Sequence, residues 1–565
     1  MDFEQYEGRE ALQTKQGVYT ICFVLLCIID MLMGSATGRV QYVAVNCTGL
    51  ILGVITLTGY RWRDFLHVPY ALWAVCGGIG AYLAITWGWG NKYYPGQWCS
   101  GVLVVYLYGF IILRLLFRFL EEKKLPKMNW PFFALWCVMM FGMIFSKNER
   151  LWPVLFFFCF GCFYLTDFNK EERSALFRGA LNGIIVGFII VQGIATFYRA
   201  YDELRYVGMY CNSNMNALFY LMTHTAILCK WYQMQKEGKA IGWRCFAAVG
   251  SAILICYGML TIGRTAILCM VFDEILFLCI NQYTKQSRRF AILNIALRLA
   301  AVGLTCAIML PVVFSVCRYV PAHFYTPLTM PVEQELEYKI HESTELNDSR
   351  YMTWERFIEL LFGRFGELKE SVEKQAMRGA QKAVDTLFPS IRAYAAEEVT
   401  ALDIPGETER EWGSGESDDM PVLLNEEDWN DPYLIRWAIY RTYLGKTNLF
   451  GHPGTEDGVW VTSGYYAPHA HNAFLQMIFS HGLLTGVFFL VDTICLLVFS
   501  VVQTVRGRKG WIPMVSLLFT VAFVGFGLFE TNWNVGQLSF FLLFFAHFPL
   551  LHRGTVRVDK TGTVY

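Results

Sequence analysis

The chain has 565 residues, 55% of them hydrophobic and 16% aromatic, with a mean hydropathy of +0.35. Only 17% are charged, and Lys+Arg and Asp+Glu both number 47, so the formal net charge is zero. This excludes a disordered chain, a nucleic-acid binder built on bulk positive charge, and an ordinary soluble enzyme, for which about 25% charged residues is usual. It points to an all-α polytopic membrane protein, which needs roughly 20 apolar residues per span.

The N-terminal stretch MDFEQYEGREALQTKQ is polar and acidic, unlike a cleavable signal, so the apolar run from Gly17 reads as a retained first span. Hydropathy then gives about 14 spans: 17–37, 41–59, 67–88, 98–120, 130–146, 151–166, 179–199, 213–230, 243–262, 265–281, 290–316, 473–502, 511–528 and 534–551. The segments 130–166 and 243–281 could each hold re-entrant helices, which would make the count 12 or 13. The chain divides into a membrane part at 1–316, a large loop at 317–470, a second membrane part at 471–551 and a tail at 552–565. Cysteines lie mostly in apolar runs, and the Cys159–Cys162 pair lacks the partners of a zinc site.

Orientation follows from the basic residues of the short loops. With the N-terminus inside, the inner segments hold 23 Lys/Arg and the opposite short loops hold seven. Both termini are therefore expected in the cytoplasm, and the large loop outside. That loop carries 27 Asp/Glu against 14 Lys/Arg. Phe357, Leu360, Leu361, Phe365, Leu368 and Val372 have helical spacing, so 354–387 is expected to be an amphipathic helix on the membrane or over the bundle. Residues 403–432 are acidic and turn-rich, as a linker or lid would be.

The residues that can carry chemistry stand at the expected outer span ends. His469, His471 and Asn472 precede a span, and a histidine there can serve as a base. His481 is ten residues beyond His471, off its helix face, and does not complete a metal site. Arg264 interrupts two apolar runs with no acid within eight residues, and a guanidinium there suits a phosphate. Arg205 precedes Asn212, Asn214 and Asn216 at a helix start, where one asparagine is enough for a cap. Arg436 and Arg441 lie on a further amphipathic helix before a Gly-rich turn. Arginines, asparagines and a histidine gathered on one membrane face suit a lipid-linked anionic substrate.

The order of these motifs resembles the O-antigen ligase and O-antigen polymerase superfamily, with its GT-C-like membrane fold. The likeness covers roughly 205–490. It comprises Arg205, Gly208, Asn212 and Asn214, then Gly263-Arg264-Thr265, then Arg436 to Tyr440 with Gly451 to Gly454, and last His471-Asn472 with Gly482. Arg350 with Trp354 fits the spacing of the third motif better but lacks its glycine turn. The chain departs from the family pattern at Gly263 and Thr265, at Tyr440, in the GxxxG of Gly482 and Gly486, and in its longer loop.

The resemblance implies metal-independent, cofactor-free, inverting glycosyl transfer at the outer face of a bacterial plasma membrane. The donor would be an undecaprenyl-diphosphate-linked oligosaccharide. The acceptor would be a lipid-linked or cell-surface glycan, and a polymerase is mildly favoured over a ligase. His471, Arg264 and Arg436 would be catalytic. Arg205, Asn212, Asn214, Asn472, Arg441 and Arg350 would bind substrate. The partners would be these lipids and the bilayer, and no nucleic acid. A polyprenyl-linked glycan flippase is the main alternative, and Asp273-Glu274 within a span is its best feature. A metal-dependent GT-C enzyme would need an outer acidic motif, for which only Asp30 is available, and a non-enzymatic scaffold would use the acidic loop.

Overall fold

The computed structural model describes residues 3–35, 39–88, 92–120, 123, 128–148, 151–199, 201, 205–283, 291–323, 352–363, 432–454, 458–462, 465–506, 510–530 and 536–551. In chain order the helices are α1 (Phe3–Ser35), α2 (Arg39–Leu57), α3 (Val68–Trp87, with a π turn at Trp73–Gly77), α4 (Pro95–Leu120), α5 (Trp130–Ile144) and α6 (Leu151–Tyr164). There follow α7 (Lys170–Tyr198), α8 (Ser213–Lys236), α9 (Ile241–Leu260), α10 (Arg264–Tyr283) and α11 (Ala291–His323). Then come α12 at 354–363, α13 (Pro432–Gly445), the antiparallel hairpin β1 (Val459–Thr462) and β2 (Tyr465–Ala467), α14 (Ala473–His481), α15 (Leu483–Arg506), α16 (Ile512–Gly527) and α17 (Leu538–Leu551).

Among the described residues, seven helices are long and apolar enough to cross a membrane: α1, α3, α4, α7, α10, α11 and α15. Six shorter apolar helices accompany them. The architecture is that of an all-α membrane protein. Each expected span overlaps a helix among the described residues, but only seven of these helices have the length and hydropathy to cross a membrane, and one span is corrected. The expected single span 473–502 is two helices, α14 and α15, broken at Gly482. Helix α11 also runs past the expected loop boundary at 316 to His323. The expected helix 354–387 is helical over 354–363, and its remainder lies outside the described residues, as does the acidic stretch up to Asp431. The described part packs over the bundle: the Met352 N–H donates to the Tyr201 carbonyl at 3.0 Å, and the Phe357 ring lies edge-on to Tyr201 and tilted against Phe314.

Inside a bilayer, helices associate through close packing rather than expulsion of water. The pairing of α1 with α7 uses a small-residue stripe, Gly179, Gly183 and Gly187, on one helix face. A Cβ at Gly183 would lie 2.5 Å from the Thr20 carbonyl oxygen, so only glycine permits this approach. The start of α7 is closed by a capping box between Asn169 and Glu172, and Lys15 reaches Glu172 from α1 at 2.5 Å. Helix α8 is buried on nearly every side, so its polar residues Thr223, His224 and Thr225 are interior. Asp30, also buried, accepts from the Tyr210 hydroxyl and the Leu538 N–H, each at 2.8 Å, and so joins α1 to the start of α17.

Two glycines set the break in 473–502. Gly482 has φ +92, and a Cβ there would lie 2.2 Å from the Leu449 carbonyl oxygen. Gly451 has φ +71, and its Cβ would lie 2.5 Å from the Ser480 carbonyl oxygen. Backbone thus meets backbone, with Leu483 N–H to Asn448 O at 2.9 Å and His452 N–H to Phe479 O at 3.0 Å. Gly482→Ala is expected to destabilise the protein by about 2–3 kcal/mol, from strain and from that clash. Gly303→Ala, in open space within α11, is expected to be neutral or stabilising by up to about 1 kcal/mol. Thermal unfolding of the purified variants measures both.

Candidate functional site

One end of the bundle holds a cavity of about 840 Å³. Arg205, Asn214, Arg264, Arg436, His471 and Glu530 line its polar part. Leu276, Leu497, Val501, Leu517 and Val521, from α10, α15 and α16, line an apolar limb. Five of the six polar residues come from the sequence motifs, which are spread over more than 260 positions. Glu530 does not.

Each motif residue is placed by local chemistry. Asn212 caps α8, its side chain accepting from the Asn214 N–H at 2.8 Å. Asn214 accepts from the Arg205 guanidinium at 2.6 Å, and Arg205 Nε donates to the Thr261 carbonyl at 2.8 Å. Asn216 donates to the Tyr206 carbonyl at 3.4 Å. The three asparagines therefore do three jobs: cap, arginine holder and loop tie. Arg205 is thereby pinned against the turn that starts α10. That turn is tight, with Ile262 at φ +50 and the Gly263 N–H donating to Thr261 Oγ1 at 3.2 Å. Arg264, the first residue of α10, is half-buried in the cavity wall.

His471 is held more firmly still. Its backbone is left-handed, at φ +48, which carries strain for a non-glycine residue. The next residue, Asn472, caps α14 by accepting from the N–H groups of Phe474 and Leu475, both at 3.0 Å. Asn472 Nδ2 also donates to the Leu528 carbonyl at 3.1 Å, and the Tyr440 hydroxyl bonds the carbonyls of His471 and Leu528. Asn472 is thus a positioning residue, outside the cavity lining. Tyr440 serves as a backbone clasp between the two segments.

Glu530, after the end of α16, is the group the sequence reading missed. One oxygen accepts from Arg436 at 3.0 Å and the other lies 3.3 Å from His471 Nδ1. Burial works to raise this carboxyl, but the His471 hydrogen bond and the Arg436 charge outweigh it and hold it below the ordinary glutamate value. An ionised carboxylate only accepts, so Nδ1 carries the hydrogen and Nε2 remains the basic nitrogen of the neutral ring. No spacing rule links position 530 to 471, and the only signal was an acid at a span end. His469 lies ring to ring with His471 at 4.2 Å, and burial with that neighbour pushes its pKa down to about 4.

Arg441 is exposed on α13 and does not line the cavity, because it lies five positions after Arg436 on the helix and faces away. Arg350 lies outside the described residues. No cluster of three or more His, Cys, Asp or Glu able to hold a metal occurs among the described residues.

The start of α8, the start of α10 and the segment leading into α14 all meet the cavity, so the positive ends of three helix dipoles add to three arginines. The polar end therefore carries three arginines against the one carboxylate of Glu530, and the limb beside it is apolar.

The mid-helix carboxyls are also explained in part. Asp273 and Glu274 are 0% and 2% exposed. Thr225 lies 2.9 Å from Asp273 Oδ2. Ser251 lies 2.7 Å from Glu274 Oε2 and 3.0 Å from His224 Nε2, which makes a three-membered hydrogen-bonded chain. A second buried pair, His547 with Asp492, joins α17 to α15.

His469 sets a pH dependence. Its folded pKa of about 4 lies below the ordinary 6.5, so the unfolded chain binds the extra proton. Stability is therefore expected to be full above pH 6.5 and to fall as pH drops towards 4, and His469→Gln should remove that portion of the loss. Thermal midpoints measured against pH test it. No protein-family model, curated protein or solved structure matches this chain.

Proposed function

We propose that this chain is a multi-pass glycosyltransferase of a bacterial plasma membrane, with both termini cytoplasmic. It joins undecaprenyl-diphosphate-linked glycan units at the outer face, as a polymerase rather than a ligase. The observation that carries this reading is the two-part cavity: three arginines and a His–Glu pair at one end, apolar helix faces at the other. Such a shape fits an amphiphile with an anionic head. Leu276 lies 12 residues below Arg264 on α10, so the apolar limb runs for about 18 Å at 1.5 Å per residue. That length suits a lipid tail.

The chemistry follows from the donor set. Arg205, Arg264 and Arg436 hold the diphosphate and stabilise the charge that develops as it leaves. His471 Nε2 takes the proton of the acceptor hydroxyl, whose oxygen attacks the anomeric carbon. The bond from that carbon to the diphosphate breaks, and its electron pair leaves with the diphosphate. Attack opposite the leaving group inverts the anomeric centre. Glu530 keeps Nδ1 hydrogen-bonded and stabilises the imidazolium that forms, the role of the carboxylate in a catalytic triad. None of these steps requires a metal.

A second reading, a carrier that moves the same lipid-linked glycan across the membrane, is favoured by Asp273 and Glu274 in the middle of α10. The two readings part on product. Reconstituted protein supplied with lipid-linked repeat units is expected to form new glycosidic bonds. Translocation without bond formation would favour the carrier.

His471→Ala at preserved expression is expected to cut polymer formation by about 100-fold or more and to leave single repeat units on the lipid. Polymer of normal length in that strain would sink the catalytic role. Glu530→Gln is expected to lower kcat by at least about tenfold with little change in KM, because it weakens the base and leaves the arginines in place. Steady-state kinetics measures the split.

A further inference from the structure

Asp273 has no role in the chemistry above, yet it lies in the wall of the same cavity. It is nine residues, or about 13 Å, below Arg264 on α10, in the part otherwise lined by apolar side chains. Its Oδ1 is buried without a hydrogen-bond partner among the described residues. No lysine or arginine pairs with it there.

The hydrogen bonds count its protons. Thr225 has one hydroxyl hydrogen and faces two acceptors, the Leu221 carbonyl and Asp273 Oδ2, each at 2.9 Å. Both contacts are satisfied when Asp273 carries a proton on Oδ2 and donates it to Thr225 Oγ1. The ionised form leaves one contact repulsive and must be stabilised by something else. Water in the open cavity does this from a short distance, because a charge near a polar medium gains much of its solvation through the field. A hydrocarbon chain in the limb removes that medium.

We infer that Asp273 is a proton-binding site linked to the lipid tail: filling the apolar limb holds Asp273 in its protonated form. The inference rests on the reading that the cavity takes an amphiphilic anion, and not on glycosyl transfer. The sign follows from linkage. At low pH Asp273 is protonated with or without ligand, and affinity is constant. As pH rises through the ionisation of the free site, binding takes up one proton and affinity falls by up to about tenfold per pH unit.

The other titratable groups that act on it are Cys229 on α8 and Cys269 and Glu274 on α10, while His224 on α8 and Cys306 on α11 stand by Glu274, and Cys256 on α9 stands by Cys306. The limb faces of α15 and α16 present Leu497, Val501, Leu517 and Val521. At the mouth, about 13 Å along α10 from Asp273, stand Arg205, Arg264, Arg436, His471 and Glu530, which both probes meet through the same diphosphate head.

Two probes separate head from tail: inorganic diphosphate and geranylgeranyl diphosphate, added to the full chain in detergent. Calorimetry in buffers of different ionisation enthalpy reads the protons taken up, scanned from about pH 5 to 9. The prenyl probe is expected to take up as much as about one proton more than inorganic diphosphate, with the excess growing as pH rises. Asp273→Asn, which mimics the neutral acid, should abolish the excess and keep the wild-type acid-pH affinity throughout. Equal uptake for both probes in the wild type would overturn the inference, even if the variant fails to fold. An undiminished excess in Asp273→Asn would also overturn it. Binding of neither probe would overturn the cavity reading and this inference together, whereas loss of glycosyl transfer alone touches neither arm.

Discussion

The site depends on one carboxylate buried among three elements. Glu530 follows α16, Arg436 projects from α13, and His471 precedes α14. Each would be costly at the edge of an apolar bundle without a partner, and each is satisfied by the same two oxygens. The pairing therefore joins the segment that carries α13 to the helices of the bundle. It also selects the histidine tautomer. Removing the carboxylate would leave a cation and an imidazole to be satisfied by water.

The backbone around that cluster is built to the same end. Gly451 and Gly482 bring two chain segments within backbone hydrogen-bonding distance, and no side chain could sit between them. The Tyr440 hydroxyl then bonds the carbonyl of the strained His471 residue, and the Leu528 carbonyl accepts from both Tyr440 and Asn472. A side chain held this way keeps a fixed direction into the cavity. The Arg205–Asn214 pair does the equivalent on the opposite wall.

The polar interior has a different logic. Asp30 and the His547–Asp492 pair join helices that are distant in sequence, and their polar groups are mostly satisfied within the bundle. Asp273 and Glu274 are bonded on one oxygen each and face different sides of α10, Asp273 towards the main cavity and Glu274 towards a smaller one between α9, α10 and α11. The first group ties helices together. The second leaves one oxygen of each carboxyl without a hydrogen-bond partner among the described residues, in side chains that form part of a cavity wall.

The sequence by itself determined the helical class, the positions of most helices, and all but Glu530 of the arginine, asparagine, histidine and glutamate side chains at the polar end of the cavity. Those features are written in local terms: apolar runs set helices, and an arginine or histidine at a span end stands out against them. It also flagged Asp273 and Glu274 as unusual without assigning them a place. Tertiary structure alone decided the rest. Glu530 is 59 positions after His471, and only the packing of α16 against its neighbours brings the two within hydrogen-bonding distance. Arg436 and Arg441 look alike on one helix, and their separation into cavity and solvent depends on which face α13 buries. The break at Gly482 was hidden because hydropathy averages over a window, whereas a single positive φ is a property of one residue and of the carbonyl packed against it.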